Sequence, residues 1–247
     1  MEQKTSRRKT AGKQESFRSL AAVSLILLMV TGLIFGASVL RRRAAGVLTN
    51  AKVSVSPRVV VVIDPGHGGF DGGAVGIDGS VEKEINLSLS LTLRDFLTVM
   101  GYAPKMTRET DISLDGNTDA PLRQRKREDL RARLSVMEEA TDGKVLMIHQ
   151  NQFTDPRYSG AQMFYGKSPG SEELAGALRR RIRETIQPEN ERECKPSEGN
   201  VWLLEQCTHP IVLVECGFLS NPEECARLSD AAYQRQFAFV IACSLGK

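Results

Sequence analysis

The order of apolar runs predicts an α/β domain with a mostly parallel central sheet flanked by helices, preceded by one transmembrane helix. Three features of the chain carry that expectation. From residue 59 onward, apolar runs of strand length alternate with longer amphipathic segments. Three of the runs end on residues of chemical use: the first opens into Asp64-Pro-Gly-His67, another ends at His149 and the last at Glu215. Residues 19–40 form a stretch of 22 residues without a charge, enough for a helix to cross a bilayer of roughly 30 Å.

A strand over 59–63 leads into a Gly-rich loop that runs to Ser80. Residues 82–100 admit two periods. Ile85, Leu87, Leu89, Leu91 and Leu93 alternate as in a strand, whereas Ile85, Leu89, Leu93, Phe96 and Leu97 share a helical face. The length of the segment, and the strand expected at 104–107, favour a helix in a βαβ unit. Residues 122–140 are densely charged, with Leu130, Leu134 and Met137 on one face, which predicts a surface helix. Strands at 145–148 and 161–165 precede a helix over 172–186. Its Leu174, Leu178, Ile182 and Ile186 form one stripe, and its Arg179, Arg180, Arg181 and Arg183 a solvated face. Strands at 201–204 and 211–214 and a helix at 231–244 complete the series.

With 247 residues, 41% apolar and 26% charged, the chain fits one globular domain plus an appendage. A net charge of +3, without a zinc-finger or RNA-binding signature, excludes nucleic acid as the expected partner. The five cysteines are odd in number and never spaced Cys-x-x-Cys, so mostly unpaired thiols are expected.

Four segments follow: a basic cytoplasmic tail (1–18), the anchor (19–40), a linker (41–57) and a catalytic domain (58–247). Lys4, Arg7, Arg8, Lys9, Lys13 and Arg18 outnumber Arg41, Arg42 and Arg43 across the anchor. That imbalance keeps the amino terminus in the cytoplasm and exports the rest, giving a single-pass protein of the cytoplasmic membrane. A cleaved signal peptide fits less well. The apolar run exceeds the usual 7–15 residues, and three arginines stand where a small-residue cleavage site is needed.

Ligands of open α/β sheets bind at the carboxyl ends of the strands. His67, His149 and Glu215 therefore converge on one edge as two imidazoles and a carboxylate, the makings of a metal-hydrolase site. Catalytic zinc keeps three protein ligands and one open position, and two histidines with a glutamate are a standard set. The third ligand is expected among the acids at this edge. Glu82 and Glu84 both open the helix after the Gly-rich loop, but two residues apart they point in different directions; spacing does not choose between them. His209 lies at the far end of its strand and reads as a bystander. Cys216, next to Glu215, should face the core on the opposite side of the strand.

Five ordered blocks carry a family resemblance: Asp64-Pro-Gly-His67-Gly-Gly, Glu82-Lys83-Glu84-Ile-Asn-Leu, Ile148-His149-Gln-Asn151, Gly160-Ala-Gln-Met-Phe-Tyr165 and Val214-Glu215-Cys-Gly-Phe-Leu-Ser-Asn221-Pro. Together, over about residues 59–230, they resemble the zinc-dependent N-acetylmuramoyl-L-alanine amidases of the amidase-3 family. The resemblance implies Zn2+ on His67, Glu82 and His149, and Glu215 as the catalytic acid–base. It also implies peptidoglycan as substrate, cut between the lactyl group of muramic acid and L-alanine. The lone domain behind an anchor, and the stretch 200–205, are similar to the sporulation branch, which strips peptides so that the muramic-δ-lactam of spore cortex can form.

Two features depart from the family pattern. Gln150 and Gln152 replace small residues around Asn151 and are expected to reshape the groove. No insertion between 165 and 200 is long enough for the blocking helix some members carry, leaving control to expression, localisation or a regulatory partner protein. Two other functions fit the same residues: a zinc peptidase cutting another amide of the stem peptide, and a catalytically dead peptidoglycan-binding protein. A decayed site would be expected to lose a ligand, and none is missing.

Overall fold

The computed structural model describes residues 59–116, 119–141 and 143–246. The strands are β1 (Val60–Pro65), β2 (Ala103–Met106), β3 (Lys144–Asn151), β4 (Gln162–Tyr165), β5 (Lys195–Pro196) and β6 (Ile211–Phe218). The helices are α1 (Glu82–Val99), α2 (Leu122–Glu138), α3 (Ser171–Thr185), α4 (Trp202–Gln206), α5 (Pro222–Ser229) and α6 (Ala231–Ser244). The sheet order is β2-β1-β3-β6-β4-β5, with every pairing parallel except β4 against β6.

Strand parity divides the core in two. Val61, Ile63, Leu146, Ile148, Val212, Val214 and Cys216 face the larger cluster, which α1, α3 and α6 cover with Leu89, Leu93, Leu178, Ile182, Phe237 and Ile241. The alternate positions Val62, Val145, Met147, Ile211 and Leu213 face a smaller cluster with Met137 of α2 and Leu203 and Leu204 of α4. Because side chains alternate along a strand, Asp64, His149 and Glu215 continue the second set. They stand on the sheet face that, among the described residues, α2 and the single turn of α4 cover.

The helical period of 82–100 holds: Ile85, Leu89, Leu93 and Leu97 are buried, while Leu87 and Leu91 are half-buried. One expected element is corrected. Residues 201–204 are not a strand; after the extended Val201 the chain turns into α4. An apolar run of four residues does not distinguish strand from buried helix, and Trp-Leu-Leu-Glu-Gln lacks the β-branched residues that favour a pleated backbone. Two elements were not expected, β5 and α5. The start of α5 was written in the chain: Asn221 caps it by accepting from the Glu223 and Glu224 amides, with Pro222 at its first position.

All five cysteines are free, and Cys216 is fully buried in the larger core. On α3, Arg180, Arg181 and Arg183 are solvated as expected, whereas Arg179 turns back to the Arg192 carbonyl and the Glu193 carboxylate. α3 itself packs on the sheet against β4 and β6. The anchor expected at 19–40, with its flanking tail and linker, lies outside the described residues. Among those described, no helix is long and apolar enough to cross a membrane.

Candidate metal centre and catalytic groove

The loop after β1 is built to present His67. Its backbone adopts φ 61°, a left-handed conformation unusual for a residue with a side chain. Two buried guanidiniums hold it there. Arg133 donates to the Pro65 carbonyl at 2.9 Å and the His67 carbonyl at 2.6 Å, and Arg108 to those of Pro65 and Gly66, both at 2.9 Å. Arg133 is itself paired with Asp64 at 2.7 Å and Asp129 at 2.6 Å. Burial works against its charge, but the two carboxylates outweigh that and raise its pKa further. Among the described residues Arg108 forms no ion pair, and burial, with the nearby Arg133 charge, brings it down to about 10.

Three ligand-type side chains meet above this loop. The ligating atoms of His67, Glu82 and His149 all lie within 4.8 Å of one another. Glu82 Oε2 is 3.2 Å from His67 Nε2, and Glu82 Oε1 is 3.0 Å from His149 Nδ1. The structure thereby chooses between the two acids of α1: Glu82 is buried against the imidazoles, while Glu84, turned about 200° around the helix, is exposed. Further donors fix both Glu82 oxygens: the Ala74 amide at 2.8 Å on Oε2, and the Gln150 amide at 3.1 Å and Asn86 Nδ2 at 3.2 Å on Oε1. Burial disfavours the Glu82 carboxylate, yet the bonds from His149 and His67 dominate and hold its pKa far below the usual range. His67 shows the reciprocal effect. Burial opposes its charge, but Asp71 and Glu82 push its pKa up to about 9.

Two glycines make the cluster sterically feasible. A Cβ on Gly66 would lie 2.1 Å from the His149 ring. At Gly73 (φ 72°), a Cβ would lie 2.4 Å from Glu82 Oε2 and 2.7 Å from the His67 ring.

Sequence reasoning missed the residues that orient these three. Asp71 meets the second nitrogen of His67 at 3.1 Å, the outer carboxylate that commonly fixes a metal-ligating imidazole. Asn86 bridges Glu82 and the Gly66 carbonyl, and accepts from Gln150 Nε2 at 3.1 Å. Asn86 follows Glu82 by four positions on α1, a same-face spacing that offered a signal; Asp71 follows His67 in a loop, where that spacing carries none. Gln150 does not reshape the groove as expected. It is buried beneath Asn86, while Gln152 reaches out to the Val75 carbonyl.

Glu215 occupies the register position opposite His149 on β6. Just beyond it a bulge shifts the pairing, so that Asn151 meets Phe218. Its Oε2 is buried without a hydrogen-bond partner. Burial, reinforced by Glu82 and opposed by the imidazoles, pushes its pKa up to about 7. Glu215 also lies where two hollows meet. One, of about 420 Å³, holds His67, His149, Met147, Leu213 and Trp202; the other, of about 700 Å³, holds Asn151, Phe164, Pro196 and Ser197. An extended substrate could thus pass over Glu215 on both sides. His209, at the opposite end of β6, takes no part. Two imidazoles and a carboxylate with closely spaced donors, firmly oriented, suit zinc, and an unpartnered carboxylate poised near neutrality suits proton transfer.

The sequence profile of the Amidase_3 family, N-acetylmuramoyl-L-alanine amidase, matches residues 61–247. The chain is 36% identical over 180 residues to the germination-specific N-acetylmuramoyl-L-alanine amidase of Bacillus subtilis (strain 168), covering 72% of this chain and 75% of that protein. It is 28% identical over 235 residues to the N-acetylmuramoyl-L-alanine amidase AmiA of Escherichia coli (strain K12), covering 78% and 76%. Among solved structures it superposes on the CwlD amidase of Clostridioides difficile, determined in complex with the GerS lipoprotein. The TM-score is 0.73 at 36% identity, over 76% of this chain and 96% of that one.

Proposed function

The chain belongs to the N-acetylmuramoyl-L-alanine amidase family, and from that membership we propose a specific reaction and setting. With zinc held by His67, Glu82 and His149, it hydrolyses the amide between the lactyl group of N-acetylmuramic acid and L-alanine of the peptidoglycan stem peptide. The observation that carries this reading is the pairing of an oriented His-Glu-His cluster with Glu215 in the adjacent strand, whose Oε2 is buried and unpartnered.

When bound, zinc supplies a Lewis acid that polarises a carbonyl and brings the pKa of water towards neutrality. The chain's residues do the rest. Glu215 accepts a proton from water attacking the lactyl carbonyl, then returns it to the departing alanine nitrogen. Asp71 and Asn86 keep the His67 ring and the Glu82 carboxylate in place throughout. Arg133 and Arg108 hold the strained loop that carries His67. No Ser or Cys nucleophile is needed, and Cys216 is buried on the other side of the strand with its thiol pushed up by burial.

The reading extends to a role in forming the muramic-δ-lactam of spore cortex, supported by the germination-specific Bacillus relative. It also places the catalytic domain outside the cytoplasmic membrane behind the 19–40 anchor. A lipoprotein serves as the regulatory partner, by analogy with the Clostridioides complex. Digestion of cortex peptidoglycan with the purified protein, followed by mass spectrometry of the muropeptides, tests the reaction. Free stem peptides beginning with L-alanine are expected. Fragments cut within the stem would assign a peptidase instead.

A further inference from the structure

We propose that the exposed edge of α2, together with Trp202, is a subsite for the carboxylates of the stem peptide; this rests on the peptidoglycan amidase reading above. The cations of α2 fall into two groups. Arg125, Lys126 and Arg133 are paired with Asp115 at 2.5 Å, Asp71 at 3.2 Å and Asp64 at 2.7 Å. Arg123, Arg127 and Arg131 are exposed and make no ion pair among the described residues. Spaced four apart, these three form one row along the helix. Like charges at that spacing repel one another, so the row lowers the stability of α2 unless an anion sits on it.

The row leads into the reaction site. Arg123, Arg127 and Arg131 line a hollow of about 320 Å³ with Lys126, Leu130 and Trp202. Lys126, Leu130 and Trp202 also line the hollow that contains His67, His149 and Glu215. The two are therefore continuous, with Trp202, 39% exposed, at the junction. Lys126 stands at the same junction and is already neutralised by Asp71, which leaves the three arginines as the free charge.

Size and chemistry favour the stem peptide as occupant. The eight helical steps from Arg123 to Arg131 rise about 12 Å. An extended peptide advances about 3.3–3.6 Å per residue, so the row spans three to four residues of stem. A stem peptide leaving muramic acid carries free carboxylates along that length, from its γ-linked glutamate to its carboxyl terminus. Guanidinium forks bind carboxylates bidentately, and an indole face covers the aliphatic segments between them. Anchored beyond the scissile amide, the peptide would be positioned without any of these side chains touching the reacting atoms. The arginines are thus specificity-determining rather than catalytic.

Trp202 is the only tryptophan of the chain, so its fluorescence reports directly on this subsite. The full-length protein is titrated with a free stem tetrapeptide and with the same peptide carrying amidated carboxylates, neither of which it can cleave at the muramoyl bond. The acid peptide is expected to change the Trp202 emission and to bind roughly tenfold tighter than the amide. Arg127→Gln should weaken acid-peptide binding about threefold, and the Arg123→Gln/Arg127→Gln/Arg131→Gln variant roughly 10- to 30-fold, with little change for the amide. Raising the salt concentration should erode the preference. On muramoyl-tetrapeptide the triple variant should raise KM and spare kcat, and circular dichroism should report an unchanged fold. Equal affinity for acid and amide peptides, or an unchanged Kd in the triple variant, overturns the proposal. So does a triple variant that loses binding only to phosphatidylglycerol vesicles, which would assign the row to lipid headgroups. Selective peptide binding without muropeptide cleavage would instead refute the amidase reading and leave the subsite standing.

Discussion

His149 and Glu215 are register partners in adjacent parallel strands, β3 and β6. Their side chains stand next to each other on one face of the sheet, and the two carboxylates near that imidazole are tuned in opposite directions. Glu82 is surrounded by donors and kept ionised far below the usual range. Glu215 has a buried oxygen with no donor at all and is pushed up to about 7. One acid is suited to hold a cation, the other to carry a proton, and the difference comes from environment alone.

That contrast predicts which acid of α1 matters for metal. Glu82→Gln or His149→Ala should abolish zinc binding and activity, whereas Glu84→Gln should leave both within about twofold, since Glu84 is exposed. Zinc content by elemental analysis, before and after dialysis against a chelator, checks this. Chelated wild-type protein should be inactive and recover on adding zinc.

Burying Glu215 costs stability in the metal-free protein, with a defined pH dependence. Its pKa rises from 4.5 to about 7 on folding. The folded state is therefore not penalised below pH 4.5 and loses stability as pH climbs from there through 7. The shift corresponds to about 3 kcal/mol. Metal-free Glu215→Gln, neutral throughout, should match wild type near pH 4.5 and exceed it by about that amount at pH 8. Urea denaturation at the two values reads it out.

The sheet and most of the site were legible for one reason. Apolar runs that open into His67 or end at His149 and Glu215, combined with the rule that ligands of open α/β sheets bind at the carboxyl ends of strands, bring these three to one edge before any coordinates are known. Glu82 was legible only as one of two acids, because helix spacing shows that just one can face inward without saying which. That choice depends on how α1 is rotated against β1 and β3, set by Ile85, Leu89, Leu93 and Leu97 in the core. The row 201–204 failed as a strand because four apolar residues carry no period. The reversed direction of β4 left no signal either, since register and orientation are fixed by neighbours distant in sequence. Asp71 and Asn86 act through other residues, and single-residue chemistry does not reveal such roles.

Close packing of backbone against the ligands gives a third prediction. In Gly66→Ala the new methyl would displace the His149 ring, from which it would be only 2.1 Å. Zinc affinity should fall about 10- to 100-fold, the range for disturbed ligand orientation, while the circular dichroism spectrum stays unchanged. Competition with a chromophoric chelator measures the affinity.

The proposed anchor is checked by intact mass. Protein recovered from membranes should retain residues 1–40, with the upstream basic cluster inside the cell. A soluble mature chain starting near residue 38–46 would favour a cleaved signal peptide.

The central claim is that Glu215 moves the proton while His67, Glu82 and His149 hold the metal. It is tested most directly by measuring zinc stoichiometry and muramoyl–L-alanine amide cleavage on the same Glu215→Gln preparation. Glutamine keeps the size of the side chain and removes the proton acceptor, so about one zinc per chain and a rate loss of about 10²–10⁴ are expected. Activity surviving within a few fold, or zinc lost along with activity, would contradict the account.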